Sequence, residues 1–287
     1  CDTEFEMEAL RGYDEALNQE QSDEMVWDTS AGEEWGEGET DGLRTYQCQS
    51  CGGEIVADEN MAASACPYCG NPIVVTGQFS GALKPDYVIP FKVSKKEAIE
   101  KLKMHYKGRP YLPKSFKDDN HIEEIQGVYV PFWMFEGKAS GEASYKATTS
   151  KVYEKGDEEI TETRHYEVSR AGSIGFEKIP VDASSKMPDD HMDSIEPYDY
   201  SGLKAFSTAY LPGFLAEKYD VSKDESSRRA RVRCENSAEN AVRNTVLGYE
   251  TCVTARKNLR VKPGDVKYAL MPVWLLSTQW QGKNFLF

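Results

Sequence analysis

Tyr46-Gln47-Cys48-Gln49-Ser50-Cys51-Gly52-Gly53 and, with fourteen residues between Cys51 and Cys66, Ala65-Cys66-Pro67-Tyr68-Cys69-Gly70-Asn71 decide how this chain is read. Two thiolates three positions apart on a tight knuckle point at one metal ion, and a second knuckle completes a tetrahedron. Glycine directly after each pair suits the turn, because bringing backbone N–H groups toward sulfur often needs positive φ. Each knuckle leads into a short β-rich run, Glu54-Ile55-Val56-Ala57 and Pro72-Ile73-Val74-Val75. The expected unit is a zinc ribbon over residues 45–79, with structural zinc on Cys48, Cys51, Cys66 and Cys69. A rubredoxin-like iron site and two labile disulfides are the other readings of the same four residues. Four sulfur ligands leave no position for water or substrate, so such a site contributes folding energy rather than catalysis.

Upstream, residues 1–45 hold fifteen acidic side chains against two basic ones, Arg11 and Arg44. The formal charge of -14 therefore sits almost entirely in this segment, and the rest of the chain, with 33 acidic and 32 basic residues, is nearly neutral. Residues 1–44 read as an acidic linker. The loose spacing of Phe5, Leu10, Tyr13 and Leu17 allows a short helix within it. Met25-Val26-Trp27 and Trp35 are unusual in a solvated tail, and docking on the body or on a partner is the alternative to a mobile linker.

Downstream, the text changes to mixed β and α signals and says the same thing twice. Val93-Ser94-Lys95-Lys96-Glu97 recurs as Val221-Ser222-Lys223-Asp224-Glu225, each a Ser-x-x-Glu capping box that starts a helix. Val130-Pro131-Phe132-Trp133-Met134 likewise recurs as Met271-Pro272-Val273-Trp274-Leu275. Two motifs in the same order predict an internal duplication. Glu142 to Tyr153 and Ile160 to Val168 flank Lys155-Gly156-Asp157-Glu158, a β-hairpin signature. The expected fold class is α+β: a small zinc ribbon followed by an antiparallel-sheet body with packed helices, divided into repeat 1 over 80–200, with the hairpin, and repeat 2 over 201–287.

With 39% apolar and 29% charged residues the chain has enough apolar content for a packed core. Seven cysteines, four of them in the two pairs and Cys1, Cys234 and Cys252 alone, give metal-site arithmetic and point to a reducing, cytoplasmic setting. No apolar run reaches the eighteen or so residues of a membrane span. No catalytic residue is expected. The histidines at 105, 121, 165 and 191 are scattered, and no Gly-x-Ser-x-Gly elbow accompanies them. Asp189, Asp190, His191 and Asp193 can be read as oxygen ligands for a hard cation, but a polar turn explains them without EF-hand spacing. Residues 228–267 carry ten basic side chains against four acidic ones. This concentration can meet nucleic acid, anionic lipid or the acidic N-terminal segment, or be a solvated helix face held by Asp224–Arg228 and Glu225–Arg229 pairs. Cys234, Ala238, Ala241, Val242 and Thr245 form the inward stripe of that helix.

The two knuckles, together with Val-Pro-Phe-Trp at 130–133 and Met-Pro-Val-Trp at 271–274, resemble bacterial proteins described as TFIIB-type zinc-ribbon proteins, often labelled primosomal-helicase-like. The resemblance implies a second zinc knuckle upstream, of which Cys1-Asp2-Thr3-Glu4-Phe5 would be the end and Cys1 an orphaned ligand. It also implies a transmembrane helix beyond the C-terminus, the only route to membrane association. Some relatives are similar to proteins encoded beside phage-shock and SPFH membrane-stress components, which implies protein partners of that type. A helicase motor needs Gly-x4-Gly-Lys-Ser/Thr, and Gly137-Lys138-Ala139 and Gly282-Lys283-Asn284 do not supply it. The functional expectation is a non-enzymatic interaction or scaffold protein, with a nucleic-acid-binding accessory protein of replication or transcription as the alternative. The ribbon, with Glu54, Asp58 and Glu59 and no Lys or Arg between Thr45 and Gly77, disfavours that alternative.

Overall fold

A computed structural model describes residues 31–60, 65–78 and 82–287. Its elements run β1 (Leu43–Cys48), β2 (Glu54–Asp58), β3 (Ile73–Gln78), β4 (Tyr87–Val88), α1 (Lys95–Tyr106), α2 (Asp119–Ile122), β5 (Gln126–Lys155), β6 (Glu158–Asp182), α3 (Asp189–Ser194), β7 (Lys204–Ala205), β8 (Leu215–Glu217), α4 (Lys223–Arg243), β9 (Thr251–Leu275), β10 (Ser277–Trp280) and β11 (Lys283–Leu286). The molecule is mixed α+β, mostly one large sheet with few helices. Strand order is β3-β1-β2-β8-β5-β9-β4-β7, with β6 also paired to β5, and β10 and β11 form a separate hairpin.

Both predicted helix starts are present as capping boxes. Ser94 and Ser222 accept from the backbone N–H of Glu97 and Glu225, whose carboxylates accept from the serine N–H in return. The two Pro-x-Trp strands are neighbours at the centre of the sheet. They pair antiparallel about Val130↔Met271, with Tyr129↔Pro272 and Pro131↔Leu270 on either side. Outside them, β8 lies parallel to β5 (Val128↔Leu215, Tyr129↔Ala216) and β4 lies parallel to β9 (Tyr87↔Ala269, Val88↔Leu270). Trp133 Nε1 donates to the Val221 carbonyl at 2.9 Å, and Trp274 Nε1 donates to that of Val93 at 3.1 Å. Each indole also meets an aromatic ring edge-on at 5.1 Å, Tyr219 for Trp133 and Phe91 for Trp274. One register thus relates two arms about the β5–β9 ladder, and each tryptophan closes the helix entry that stands beside it in space.

The hairpin is longer than its sequence signature suggested. β5 is one strand of 30 residues containing both the Pro-x-Trp entry and the first hairpin arm, and β6 returns over 25. Gly156, at φ +68, is the first residue of the two-residue loop between Lys155 and Glu158, the position where a type II′ turn requires positive φ and favours glycine. Helix α4 lies across the ribbon of β6, β5 and β9. Its buried stripe is Ser226, Ala230, Cys234, Ala238 and Val242 at strict four-residue spacing, packed on Ala139, Ala143, Tyr145 and Val261 among others. Ala241 and Thr245, expected to face inward, are exposed: Ala241 stands beside the buried line rather than on it, and Thr245 follows the last helical residue, Arg243. The expected Asp224–Arg228 and Glu225–Arg229 pairs also give way. Glu225 is spent on the cap, Arg229 turns to Asp182, and the i,i+4 pair on this helix is Arg231–Glu235 at 2.8 Å.

Two expected boundaries are revised. The ribbon does not have a core of its own: β2 pairs with β8 (Ile55↔Glu217, Val56↔Ala216), and Cys48, Ile55 and Tyr68 share one core cluster with Val128, Phe132, Leu215 and Met271. Residues 31–42, expected as linker, are docked. Ala31 is buried, Glu33 bridges to Lys84, and Trp35 Nε1 donates to the Ala82 carbonyl at 2.9 Å, with its ring edge-on to Phe206. The short helix, Met25-Val26-Trp27 and Cys1 lie outside the described residues.

Candidate metal centre

The first knuckle is closed by the Gly52 N–H donating to the Cys48 carbonyl at 2.8 Å, and the second by the Gly70 N–H donating to that of Cys66 at 2.9 Å. Both glycines have φ near +70, which L side chains rarely adopt, so the glycine after each pair is a backbone requirement. The four sulfurs all lie within 4.8 Å of one another. Cys48 Sγ to Cys69 Sγ is 3.5 Å and Cys51 Sγ to Cys66 Sγ is 3.6 Å. Sulfurs held 2.3 Å from a tetrahedral ion stand about 3.8 Å apart, whereas a disulfide needs about 2.05 Å. The donor set can therefore hold one metal ion, and the disulfide reading falls.

Electrostatics favour a cation here. Burial pushes the Cys51 and Cys66 thiols up, and at Cys66 the charge of Cys51 opposes a second thiolate. Burial raises Cys48 too, but backbone N–H groups of Cys51 and Ser50 outweigh it and bring the thiol down to about 7. Four thiolates in one buried site need a positive ion to coexist. Such an ion, when bound, would supply charge neutralisation and cross-linking of the two knuckles. Around the sulfurs, Asn71 Nδ2 donates to Cys69 Sγ at 3.4 Å and to Ser50 Oγ at 3.1 Å, tying one knuckle to the other. The β10–β11 hairpin clamps the second knuckle. Ser277 Oγ donates to the Tyr68 carbonyl at 3.0 Å, and Gln279 Nε2 to that of Cys69 at 3.1 Å. Nothing in the sequence near residue 280 signals this contact, since it joins polar side chains to carbonyls more than 200 positions away.

The other candidates do not gather around a metal. Asp189 and Asp193 face arginine: Arg229 bridges Asp182 at 2.9 Å and Asp189 at 2.8 Å, while Arg233 holds Glu196 and approaches Asp193 at 3.5 Å. Guanidinium groups thus fill the cation's place, and Asp190 accepts from the His191 N–H. His121 lies between Glu124 at 2.8 Å and Thr278 at 2.7 Å, a structural arrangement linking α2 to β10. Among the described residues no other group of His, Cys, Asp and Glu has the geometry to hold an ion. The basic stretch divides between α4, where most arginines are paired, and β9, where Arg256 and Lys262 lie on the solvent side of the ribbon. No helix among the described residues is long and apolar enough to cross a membrane.

Sequence missed one residue. Glu217, at the end of the three-residue β8, is only 3% exposed. Burial pushes its carboxyl up to about 8, against the pull of hydrogen bonding from Ser184, whose Oγ donates to Oε1 at 2.6 Å.

No family model matches the chain, and no solved structure matches it. The uncharacterized protein YdjG of Bacillus subtilis (strain 168) is 36% identical over 214 residues, which cover 75% of this chain. The chain spans 63% of the length of that relative.

Proposed function

We propose that this protein is a zinc-stabilised interaction scaffold without catalytic activity of its own, in which the metal locks one end of a continuous sheet and the β5–β6–β9 ribbon projects as a binding surface. The observation that carries this reading is the four-thiolate site built into the shared core. Its coordination is complete with protein sulfur, so the ion can brace the fold but has no position for substrate. Zinc is the ion of choice over iron because a redox-inert ion suits a purely structural site. The partner class follows from the resemblance: SPFH or phage-shock components at a membrane, reached through segments beyond this chain. Metal content by mass spectrometry tests the ion. Cell fractionation followed by capture of the native complex tests the partner. Recovery with membranes and stress components supports the scaffold, and soluble, nuclease-sensitive recovery with replication or transcription proteins replaces it.

That second reading, nucleic-acid binding, is favoured by one observation. Lys138, Arg256 and Lys262 share the solvent face of the ribbon, opposite α4, on strands of small polar residues. Phosphate contacts of this kind would show a steep loss of affinity with salt. Deleting residues 1–30, which carry much of the acidic charge, should strengthen such binding if that segment shields the face.

We also infer that the two arms arose by duplication. The matching capping boxes, Pro-x-Trp strands, parallel flanking strands and indole hydrogen bonds support it. Separate expression of the two halves, followed by reconstitution on mixing, tests whether each arm needs the other's central strand.

A further inference from the structure

From Lys101 to Lys117 the sequence holds six basic residues and no acidic one, in a chain whose acidic residues outnumber the basic by 48 to 34. The stretch runs from the second half of α1 through a loop into a 3-10 turn, Lys114–Lys117. Gly108, at φ +80, reverses the chain after the helix in backbone that favours glycine. The base of the loop is anchored: Leu112 packs on the cluster of Ala98, Tyr106 and Leu276, and Lys117 Nζ donates to the Arg109 carbonyl at 2.8 Å. Its tip projects. Tyr111, set between prolines at 110 and 113, is 97% exposed, and Met104 in the last turn of α1 is 73% exposed.

Single exposed apolar side chains are ordinary, but here they stand among cations on one surface. The β10–β11 hairpin extends it. Buried Phe116 meets Trp280 edge-on at 6.3 Å and Phe285 at 5.7 Å, which sets exposed Trp280 and its cross-strand partner Lys283 beside the 3-10 turn. Four acids follow in and around α2, and three of them are engaged. Asp119 pairs with Lys103 at 2.6 Å, Asp118 accepts from the His121 N–H, and Glu124 meets His121 at 2.8 Å, while Glu123 is exposed. Lys107, Arg109, Lys114 and Lys117 make no ion pair among the described residues, which leaves four unpaired cations around Tyr111.

We propose that this surface docks on an anionic lipid bilayer, with Tyr111 and Met104 entering the headgroup layer and Lys107, Arg109, Lys114 and Lys117 facing lipid phosphates. A tyrosine ring with its polar tip is favoured at a membrane–water interface. Each cation held close to an anionic leaflet raises affinity about fivefold. Nucleic acid fits less well. Single strands take a groove lined with aromatic platforms, whereas Tyr111 tops a projecting loop. A duplex laid along α1 would meet Glu97 and Glu100, which share a helix face with Met104 by their spacing. A bilayer touched by the loop tip leaves Glu97 about 10 Å farther back along the helix. This contact belongs to the chain's own surface and needs no protein partner, so it goes beyond the scaffold reading, which reaches the membrane through segments outside the chain.

The test is sedimentation of the full, metal-loaded chain with vesicles of phosphatidylcholine alone or mixed equally with phosphatidylserine. Binding should require phosphatidylserine, weaken as salt is added, and fall roughly tenfold or more in Lys107→Glu/Lys114→Glu. Tyr111→Ser should weaken it several-fold with the salt dependence kept, and Tyr111→Trp should add a blue-shifted emission on the same vesicles. These side chains are exposed, so each variant should melt as the wild type does. Absence of sedimentation with phosphatidylserine vesicles overturns the proposal and leaves the scaffold reading, tested by capture of protein partners, where it stands. Binding that survives Lys107→Glu/Lys114→Glu but is lost in Arg256→Glu/Lys262→Glu overturns it by moving the contact to the ribbon. Tighter binding of single-stranded DNA than of vesicles, sensitive to Lys107→Glu/Lys114→Glu, overturns it in favour of nucleic acid.

Discussion

Glu217 and Arg229 show how single side chains set the energetics. For Glu217 the folded carboxyl titrates near 8 against an ordinary value of 4.5, chiefly because of burial. An acid raised on folding contributes stability that is fully present below pH 4.5 and lost as pH rises through 8, since the unfolded chain gives up its proton first. Thermal denaturation of the metal-loaded protein between pH 5 and 9 should show this decline, and Glu217→Gln should flatten it by a few kcal/mol at the alkaline end. A variant with the wild-type slope would assign the decline to other groups. Arg229 neutralises Asp182, whose side chain is 1% exposed and whose carboxyl burial pushes up while Arg229 pulls it down. Arg229→Ala leaves a buried acid alone and should cost about 3–5 kcal/mol in denaturant unfolding. Adding Asp182→Asn should recover part of that loss, and an additive double variant would show that the two side chains act independently.

Among the elements, the β5–β9 ladder is the most demanding. Gly141, at φ +143, lies where an added Cβ would meet the Asn258 carbonyl oxygen at 1.9 Å, a backbone atom that cannot rotate away. Gly141→Ala should therefore separate the strands locally and destabilise by roughly 3 kcal/mol or more, with amide exchange accelerated around Asn258. A neutral outcome would mean that the ladder yields at little cost. Helix α4 is legible as a helix from its cap and from the four-residue spacing of Ala230, Cys234, Ala238 and Val242. Its packing partner is not, because β5, β6 and β9 alternate small, polar and charged residues that would serve equally on a free hairpin.

At the level of the whole molecule, the metal centre and the sheet are one structure. The sequence invites the expectation that Cys66→Ser loosens a ribbon and spares the body. With β2 paired to β8 and the knuckles inside the main core, removal of the ion should instead lower the unfolding transition of the entire chain. At about 2–4 °C per kcal/mol for a protein of this size, a loss of several kcal/mol appears as a fall of roughly 10 °C or more. Calorimetry with and without chelator, and on Cys66→Ser, measures it. A separate small transition beside an unchanged main one would restore the picture of an independent module.

The sequence by itself determined the features whose chemistry is local. Four cysteines at knuckle spacing can converge on one metal ion, Ser-x-x-Glu closes its own helix start, and Lys-Gly-Asp-Glu turns its own chain. Tertiary structure alone decided that β8, three residues with no periodicity to betray them, joins the ribbon to the body. It also decided that each tryptophan closes the neighbouring arm's helix and that the Glu217 carboxyl is buried in the core. Those outcomes depend on pairing between segments far apart in the chain, where the deciding free energy is shared burial and hydrogen bonding, and neither segment carries a mark of its partner.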